Sequence, residues 1–306
     1  MIEISHLTKR FGSALAVDDV SFNAVSGEVL GLLGPNGAGK STTLRMLTGF
    51  MSPSSGTAKL CGFDIRRQTR RAQQLIGYMP ETGACYSEMS VCAFLGFVAE
   101  VRGYRGREKR ARVMAMLEQF ELLEVRGQTI DTLSKGFRRR IGLAQAMLHD
   151  PKLLILDEPT DGLDPNQKYR VREQIKAMAR DKIVIISTHI LEEVTALCGR
   201  ALVMNKGQLL VDSTPSALES RSRNHQAVVL YARQPLDVMT LAMLSGVAGI
   251  EAGPEPFSVR VLARPGAVIL PAINTLILSR GWDVPRQEVE RGSLGEVFRM
   301  LTREHR

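Results

Sequence analysis

One run of eight residues constrains this chain more than any other. Gly34-Pro35-Asn36-Gly37-Ala38-Gly39-Lys40-Ser41 fits the pattern G-x-x-x-x-G-K-S/T at each fixed position. The flanks agree with it. Val29-Leu30-Gly31-Leu32-Leu33 reads as a buried strand entering the loop, and Ser41 to Thr48 reads as a helix leaving it. Glycines let the backbone curl so that successive N–H groups face one set of phosphate oxygens. The helix N-terminus adds partial positive charge. Lys40 would reach the outer phosphates, and the Ser41 hydroxyl would take one position on Mg²⁺. The loop therefore points to a nucleoside triphosphate and leaves its use open.

Later segments narrow that use. Lys152-Leu153-Leu154-Ile155-Leu156-Asp157-Glu158 is an apolar strand ending in two acids. Asp157 is placed to hold Mg²⁺ through its water shell. Glu158, one residue on, faces elsewhere and can act as a general base on a water. The alternative, a surface pair or helix cap, fits poorly after a strand of this kind. Between loop and strand lies Leu133-Ser134-Lys135-Gly136, ahead of a helix from Phe137 to Leu148. Ser and Gly at a helix N-terminus make a second anion site.

With 306 residues, two domains is the natural division. Residues 1–215 alternate β-branched runs with helical segments. Val29–Leu33, Leu153–Leu156 and Ile183–Ser187 are apolar throughout, as in strands covered on both faces. Residues 86–126 mix apolar and charged residues at helical spacing and read as a helical insert. Ser213 to Asn224 reads as a boundary helix and linker, the linker over 216–224. Residues 225–306 follow the order βαββαβ with a closing helix, which predicts a small ferredoxin-like α+β domain.

Net charge is +8. From His225 to Arg306 there are nine Lys and Arg against eight Asp and Glu, so the surplus belongs to the first 224 residues. Its basic runs lack interleaved aromatics, so no stacking platform for bases is indicated and no specific nucleic acid is expected. Solvated helix faces or a nearby anionic membrane suit them better. No stretch approaches the roughly 18 uninterrupted apolar residues that span a bilayer. Met1-Ile2-Glu3-Ile4 lacks a secretory pattern. A cytosolic chain is expected, and Cys61, Cys85, Cys92 and Cys198 should be buried or half-buried thiols without metal spacing.

Taken in order, these motifs resemble the nucleotide-binding subunit of ATP-binding cassette (ABC) transporters over about residues 1–215. The resemblance implies a P-loop α/β fold and roles for particular residues. Phe11 would stack on adenine. Gly34 to Thr42 (Gly34, Pro35, Asn36, Gly37, Ala38, Gly39, Lys40, Ser41, Thr42) would be the Walker A loop, and Leu133 to Gly136 the signature. Leu153 to Glu158 would be the Walker B strand with its catalytic carboxylate. Asp161-Gly162-Leu163-Asp164 would cross a dimer interface, and His189 in Ser-Thr-His would be the switch histidine. ATP and Mg²⁺ follow as cofactors, with Ser41, Asp157 and Glu81 near the metal and Glu158, His189 and Lys40 catalytic.

Some positions depart from the family pattern. Lys135 and Phe137 stand where Gly and Gln are commonest, although Ser134 and Gly136 are kept. Glu81 in Ile76-Gly77-Tyr78-Met79-Pro80-Glu81 replaces the usual Gln and adds charge beside the phosphates. These variants, with the closing Gly292-Ser293-Leu294-Gly295-Glu296-Val297-Phe298, are similar to the type-2 exporter branch that includes gliding-motility and multidrug-type ATPases. The resemblance implies a homodimer, or a pair with a second ATPase subunit, closing head-to-tail on two ATP. A separate integral membrane permease would dock near Glu81 and the insert, with Tyr86 to Met89 at the groove's edge. The protein would then sit on the cytoplasmic face of the inner membrane. A soluble ABC ATPase acting on ribosomes or DNA is the alternative, though the two cassettes or coiled-coil insertion usual there are not seen. A module using ATP only as a clamp would need a crippled base, and Glu158 is intact.

Overall fold

The computed structural model describes residues 1–82 and 86–303. Cys85 lies outside them. The chain divides into two compact units, Met1–Ser213 and Thr214–Arg306.

The first unit is built on a six-stranded sheet. Its order is Gln208–Ser213, Arg200–Asn205, Val29–Leu33, Ile183–Thr188, Leu153–Asp157, Ile76–Met79. All neighbours are parallel except the first pair. Each residue of Val29–Leu33, Leu153–Asp157 and Ile183–Thr188 is buried. That is why these runs are apolar with no alternation: both faces of the sheet are covered. Register brings the strand ends level. Leu33 pairs with Thr188, and Asp157 with Ser187. The segments after each strand, carrying the loop, Glu158 and His189, therefore open on one edge, where parallel sheets present their ligand sites.

A second sheet is not apparent from the sequence. It is antiparallel, in the order Ala14–Ala24, Ile2–Phe11, Ser55–Leu60, Phe63–Asp64. Ile2 and Ile4 face inward while Glu3 and Ser5 face out. This half-buried alternation is the opposite of the pattern in the parallel sheet. Ile2, Leu7 and Val20 join Leu30, Leu32, Ile155 and Leu202 in one apolar core. The insert holds two helices, Val91–Val101 and Gly106–Gln119. Ser90 caps the first by accepting from the Ala93 N–H at 3.3 Å.

In the second unit an antiparallel sheet runs Val247–Ala252, Ser258–Ala263, Val228–Tyr231, Arg286–Val289. Leu241 of the helix Val238–Ala242 and Ile273 of Leu270–Arg280 share a core with Val228, Leu230 and Val261. A short helix opens the stretch around 213–224, as the boundary helix read from the sequence would. Pro215–Glu219 is helical, with Thr214 as N-cap and Leu218 buried. The Ser222 hydroxyl then donates to Glu296 of the closing helix Leu294–Arg303 at 2.6 Å. The cap, the proline at the first helical position and one buried leucine set this helix despite the serine-rich composition.

The thiols also differ from expectation. Cys198 is buried, while Cys61 and Cys92 are exposed. Cys92 lies on the outward side of the largely apolar helix Val91–Val101 and Cys61 just after the strand Ser55–Leu60, so the residues around them in sequence do not give their depth.

Candidate nucleotide-binding site

The loop is wedged where only glycine fits. Gly39 has φ 101° and Gly37 φ 80°. A Cβ on Gly39 would sit 2.6 Å from the Ala16 carbonyl oxygen, and one on Gly34 would sit 2.5 Å from that of Met204. The loop opens directly into the helix Lys40–Leu47, whose first-turn N–H groups have no carbonyl partner within the helix. No acidic side chain stands in that turn to neutralise them. The result is a ring of donors and positive partial charge around one small volume.

Lys40 is buried and curls over the loop. Its ammonium donates to the Gly34 carbonyl at 2.6 Å and to that of Pro35 at 3.2 Å. Burial pushes its pKa down, while Glu158, Asp157 and Glu81 act to keep it charged. Ser41 Oγ donates to Asp157 Oδ1 at 3.4 Å, so the hydroxyl and the buried carboxylate are already neighbours. Ser187 Oγ donates to the same oxygen.

Glu158 follows with a left-handed backbone, φ 50°. Two contacts with Ser187 hold it there: its N–H donates to the Ser187 carbonyl and to Oγ, each at 3.2 Å. The turn separates its side chain from that of Asp157. Glu158 Oε1 lies 2.9 Å from His189 Nδ1, and Oε2 is buried without a partner. A buried carboxylate oxygen without a donor is costly unless a ligand or water supplies one. His189 itself is 46% exposed and can reach a bound group.

These groups share a cavity of about 640 Å³. Asn36 to Thr42 line one side, and Ala16, Glu81, Glu158, Asp161 and His189 complete it. Glu81 is exposed, just beyond the strand Ile76–Met79. Among the described residues no cluster of three or more His, Cys, Asp or Glu could hold a metal alone. A cation here would need phosphate oxygens beside Ser41 and Asp157, and the donor-rich loop is built to hold such oxygens.

The remaining sequence candidates stand apart. Ser134 caps the helix Lys135–Met147, its Oγ accepting from the Phe137 N–H at 3.4 Å. Gly136 is packed so closely that a Cβ would lie 2.8 Å from the Gln167 side chain. Asp164 caps Pro165–Met178 through the Gln167 N–H at 2.9 Å. Gly136 and Asp164 line a different cavity, with Arg140 and Gln167. Within one copy, these residues and the phosphate loop do not meet. Phe11 lies at a strand end, half-exposed, with the Lys9 ammonium 5.2 Å from its ring centre. Ala16, not Phe11, lines the cavity on that side.

Sequence reasoning misses three residues. Ala16 belongs to the antiparallel sheet that the sequence does not announce. Ser187 stands in the Ser-Thr-His that draws attention only to His189. Arg139 donates to the Glu81 carbonyl at 2.7 Å from the helix behind the signature. In the sequence, the basic run there reads only as surface charge.

Comparison with known proteins agrees with this geometry. Residues 17–161 match the family model described as ABC transporter. A Nod factor export ATP-binding protein of Burkholderia orbicola is 34% identical over 275 residues, covering 87% of this chain and 90% of that one. A protein of Escherichia coli named "Probable multidrug ABC transporter ATP-binding protein" is 37% identical over 227 residues, 74% of this chain. The match spans only 39% of that relative's length. Among solved structures, an ATP-binding subunit of an ABC transporter superposes with a TM-score of 0.65 at 28% identity, covering 72% of this chain and 92% of that one. An ATP-binding cassette dimer in a post-hydrolysis state with ADP and phosphate shares the fold, with a TM-score of 0.65 at 20% identity over 70% of this chain and 99% of that one.

Proposed function

The chain belongs to the ABC transporter ATP-binding family, and from that premise we propose that it hydrolyses ATP to drive a separate membrane permease, in the direction of export. The observation that carries the catalytic part is Glu158, with one oxygen held by His189 and the other unpartnered beside the phosphate loop.

The chain's own groups divide the work. Loop and first-turn N–H groups hold the phosphates, and Lys40 leaves its two carbonyls to meet the outer ones. Ser41 and Asp157 would hold Mg²⁺, which when bound would offset charge on the transferring phosphoryl group. Asp157 is kept in place by Ser187. Glu158 Oε2 takes the proton of the attacking water. His189, in contact with Oε1 through Nδ1, fixes the carboxylate, and its Nε2–H faces the terminal phosphate as a donor. Glu81, which lines the same cavity, would reach the metal or its water shell. Phe11, at the strand end beyond the cavity, stacks on the base.

Ser134, Gly136 and Asp164 complete the pocket of a second copy, or of a second ATPase subunit. Their distance from the loop in their own chain supports this reading. Contacts to the terminal phosphate then exist only while ATP is intact, and cleavage releases the two halves. The exposed ring of Tyr86, stacked edge-on against Phe97 at 5.3 Å, marks the permease side of the helical insert. Among the described residues no helix is long and apolar enough to cross a membrane, so the membrane passage falls to the permease. The protein works on the cytoplasmic face of the inner membrane.

The test is Glu158→Gln in the full chain. Hydrolysis should fall by at least about 100-fold, while light scattering with MgATP should show a stable dimer. Unchanged turnover, or a monomer at saturating MgATP, would overturn the assignment.

A further inference from the structure

Glu81 stands on the wall between two cavities. One is the nucleotide cavity with the phosphate loop, Glu158 and His189. The other, about 380 Å³, is lined by Lys135, Arg138 and Arg139 on the helix behind the signature, with Thr82, Ser87 and Ile130. Wherever the family pattern places a neutral glutamine here, no charge needs balancing. In this chain a carboxylate faces a site that must accept a highly charged anion, beside Asp157, Glu158 and Asp161.

Arg139 ties a cation to this segment. Its Nη1 donates to the Glu81 carbonyl at 2.7 Å. The group is half-buried, and that burial alone would weaken its charge. The carboxylates acting on it in return are Asp161, Glu81, Glu158 and Asp157. Its field is therefore shared among the acids of the nucleotide cavity. A guanidinium does not lose its proton in a protein, which makes this a fixed counter-charge.

We infer that Arg139 is a positioning residue for Glu81: it pins the 81 backbone to the signature helix and balances the 81 carboxylate, so that a site with an acid in place of glutamine still accepts a triphosphate. The inference rests on the nucleotide reading above. It also joins two half-sites in one chain. Position 81 faces the chain's own nucleotide, and the helix carrying Arg139 begins at the residues that meet the partner's.

The test is a double-mutant cycle on the full chain. Calorimetry would measure binding of a non-hydrolysable ATP analogue with Mg²⁺ to wild type, E81Q, R139Q and E81Q/R139Q. With Glu81 in place, R139Q should weaken binding about tenfold, as expected for one unit charge at this range. In the E81Q background the same change should cost no more than about threefold, the gain that an unopposed Arg139 brings there. R139K, which keeps the charge, should retain most of the affinity. Equal losses in both backgrounds would overturn the inference, because a role through the 81 carbonyl alone is indifferent to the side chain. Should R139Q fail to fold, E81Q decides alone. It alters an exposed side chain, and with Arg139 left unopposed it should bind the analogue about threefold more tightly; no tightening would overturn the inference. A wild-type chain that takes up no analogue would sink the nucleotide reading itself.

Discussion

Ser187 holds more of the site than its size suggests. Its hydroxyl donates to Asp157 Oδ1, and its oxygens receive the Glu158 N–H. The carboxylate proposed to hold the metal and the proposed base, with its left-handed backbone, therefore lean on one residue. Removing the hydroxyl frees Asp157 to turn and leaves the left-handed backbone of Glu158 with only the carbonyl contact. Partners that orient metal ligands typically alter metal affinity by about 10 to 100 fold. Ser187→Ala should accordingly raise the Mg²⁺ concentration for half-maximal hydrolysis about tenfold, with a smaller change in KM for ATP. A Mg²⁺ titration of the ATPase rate checks this, and an unshifted midpoint would mean that Asp157 is held by its strand alone. The thiol at 198 makes a separate case. It is buried, and burial pushes its pKa to about 12. Thiolate is the reactive form. At about pH 8, iodoacetamide should modify Cys61 and Cys92 in the folded chain and Cys198 only after denaturation, as read by peptide mass spectrometry.

At the scale of elements, the loop strand shows how packing tolerates its motif. Gly31 sits mid-strand, and a Cβ there would lie 2.7 Å from Cys198 Sγ. Gly31→Ala should destabilise the chain by about 1–3 kcal/mol through overpacking, with Cys198→Ala restoring part of the loss in urea titrations. The helix Lys135–Met147 and the strand Ile76–Met79 meet near His149. That ring bonds the Ile76 carbonyl at 2.9 Å through Nε2, and its Nδ1 is buried without a partner. Burial, then the nearby Arg102 charge, lowers its pKa from 6.5 to about 4. In the unfolded chain the imidazole protonates near 6.5, so between about pH 6.5 and 4 the unfolded state binds more protons. Stability from this group is complete above 6.5 and drains as pH falls towards 4. His149→Gln should flatten the decline between about pH 7 and 5 in urea titrations; an unchanged slope would show that the carboxylates alone set it.

The same elements show what the sequence could and could not reveal. Val29–Leu33, Leu153–Asp157 and Ile183–Thr188 are legible because a strand covered on both faces reads as a nearly continuous apolar run. The antiparallel sheet is not. Its inward residues alternate with polar ones, and its long strand Ile2–Phe11 shifts register three times against its neighbour, which blurs a period of two. The motif residues Lys40, Ser41, Asp157, Glu158 and His189 converge on one edge because each lies at or just beyond the end of a parallel strand. Arg139 is hidden because a charge in a basic helix has no signature of its own. Only the fold brings it to Glu81, 58 residues away.

On the scale of the whole molecule, the question is how many chains make one site. Each copy holds a phosphate loop and, away from it, Ser134, Gly136 and Asp164. Two copies related by a two-fold axis would form two equal pockets, each with the loop of one chain and the signature of the other. This arrangement can be tested by mixing inactive proteins. Lys40→Ala destroys the loop and spares the signature; Ser134→Arg does the reverse. Each homodimer then has two damaged pockets. The mixed dimer has one pocket with both faults and one with neither, made from the loop of the Ser134→Arg chain and the signature of the Lys40→Ala chain. Equal mixing makes half of the dimers mixed, each with one sound pocket in two. Hydrolysis absent from either preparation should therefore return to about a quarter of the wild-type rate per chain. Pockets complete within a single chain could not recover this way: every Lys40→Ala copy would stay inactive whatever it met. A mixture no more active than the sum of its parts would thus rule out the shared pocket, whereas recovery near a quarter would tie each terminal phosphate to two chains at once.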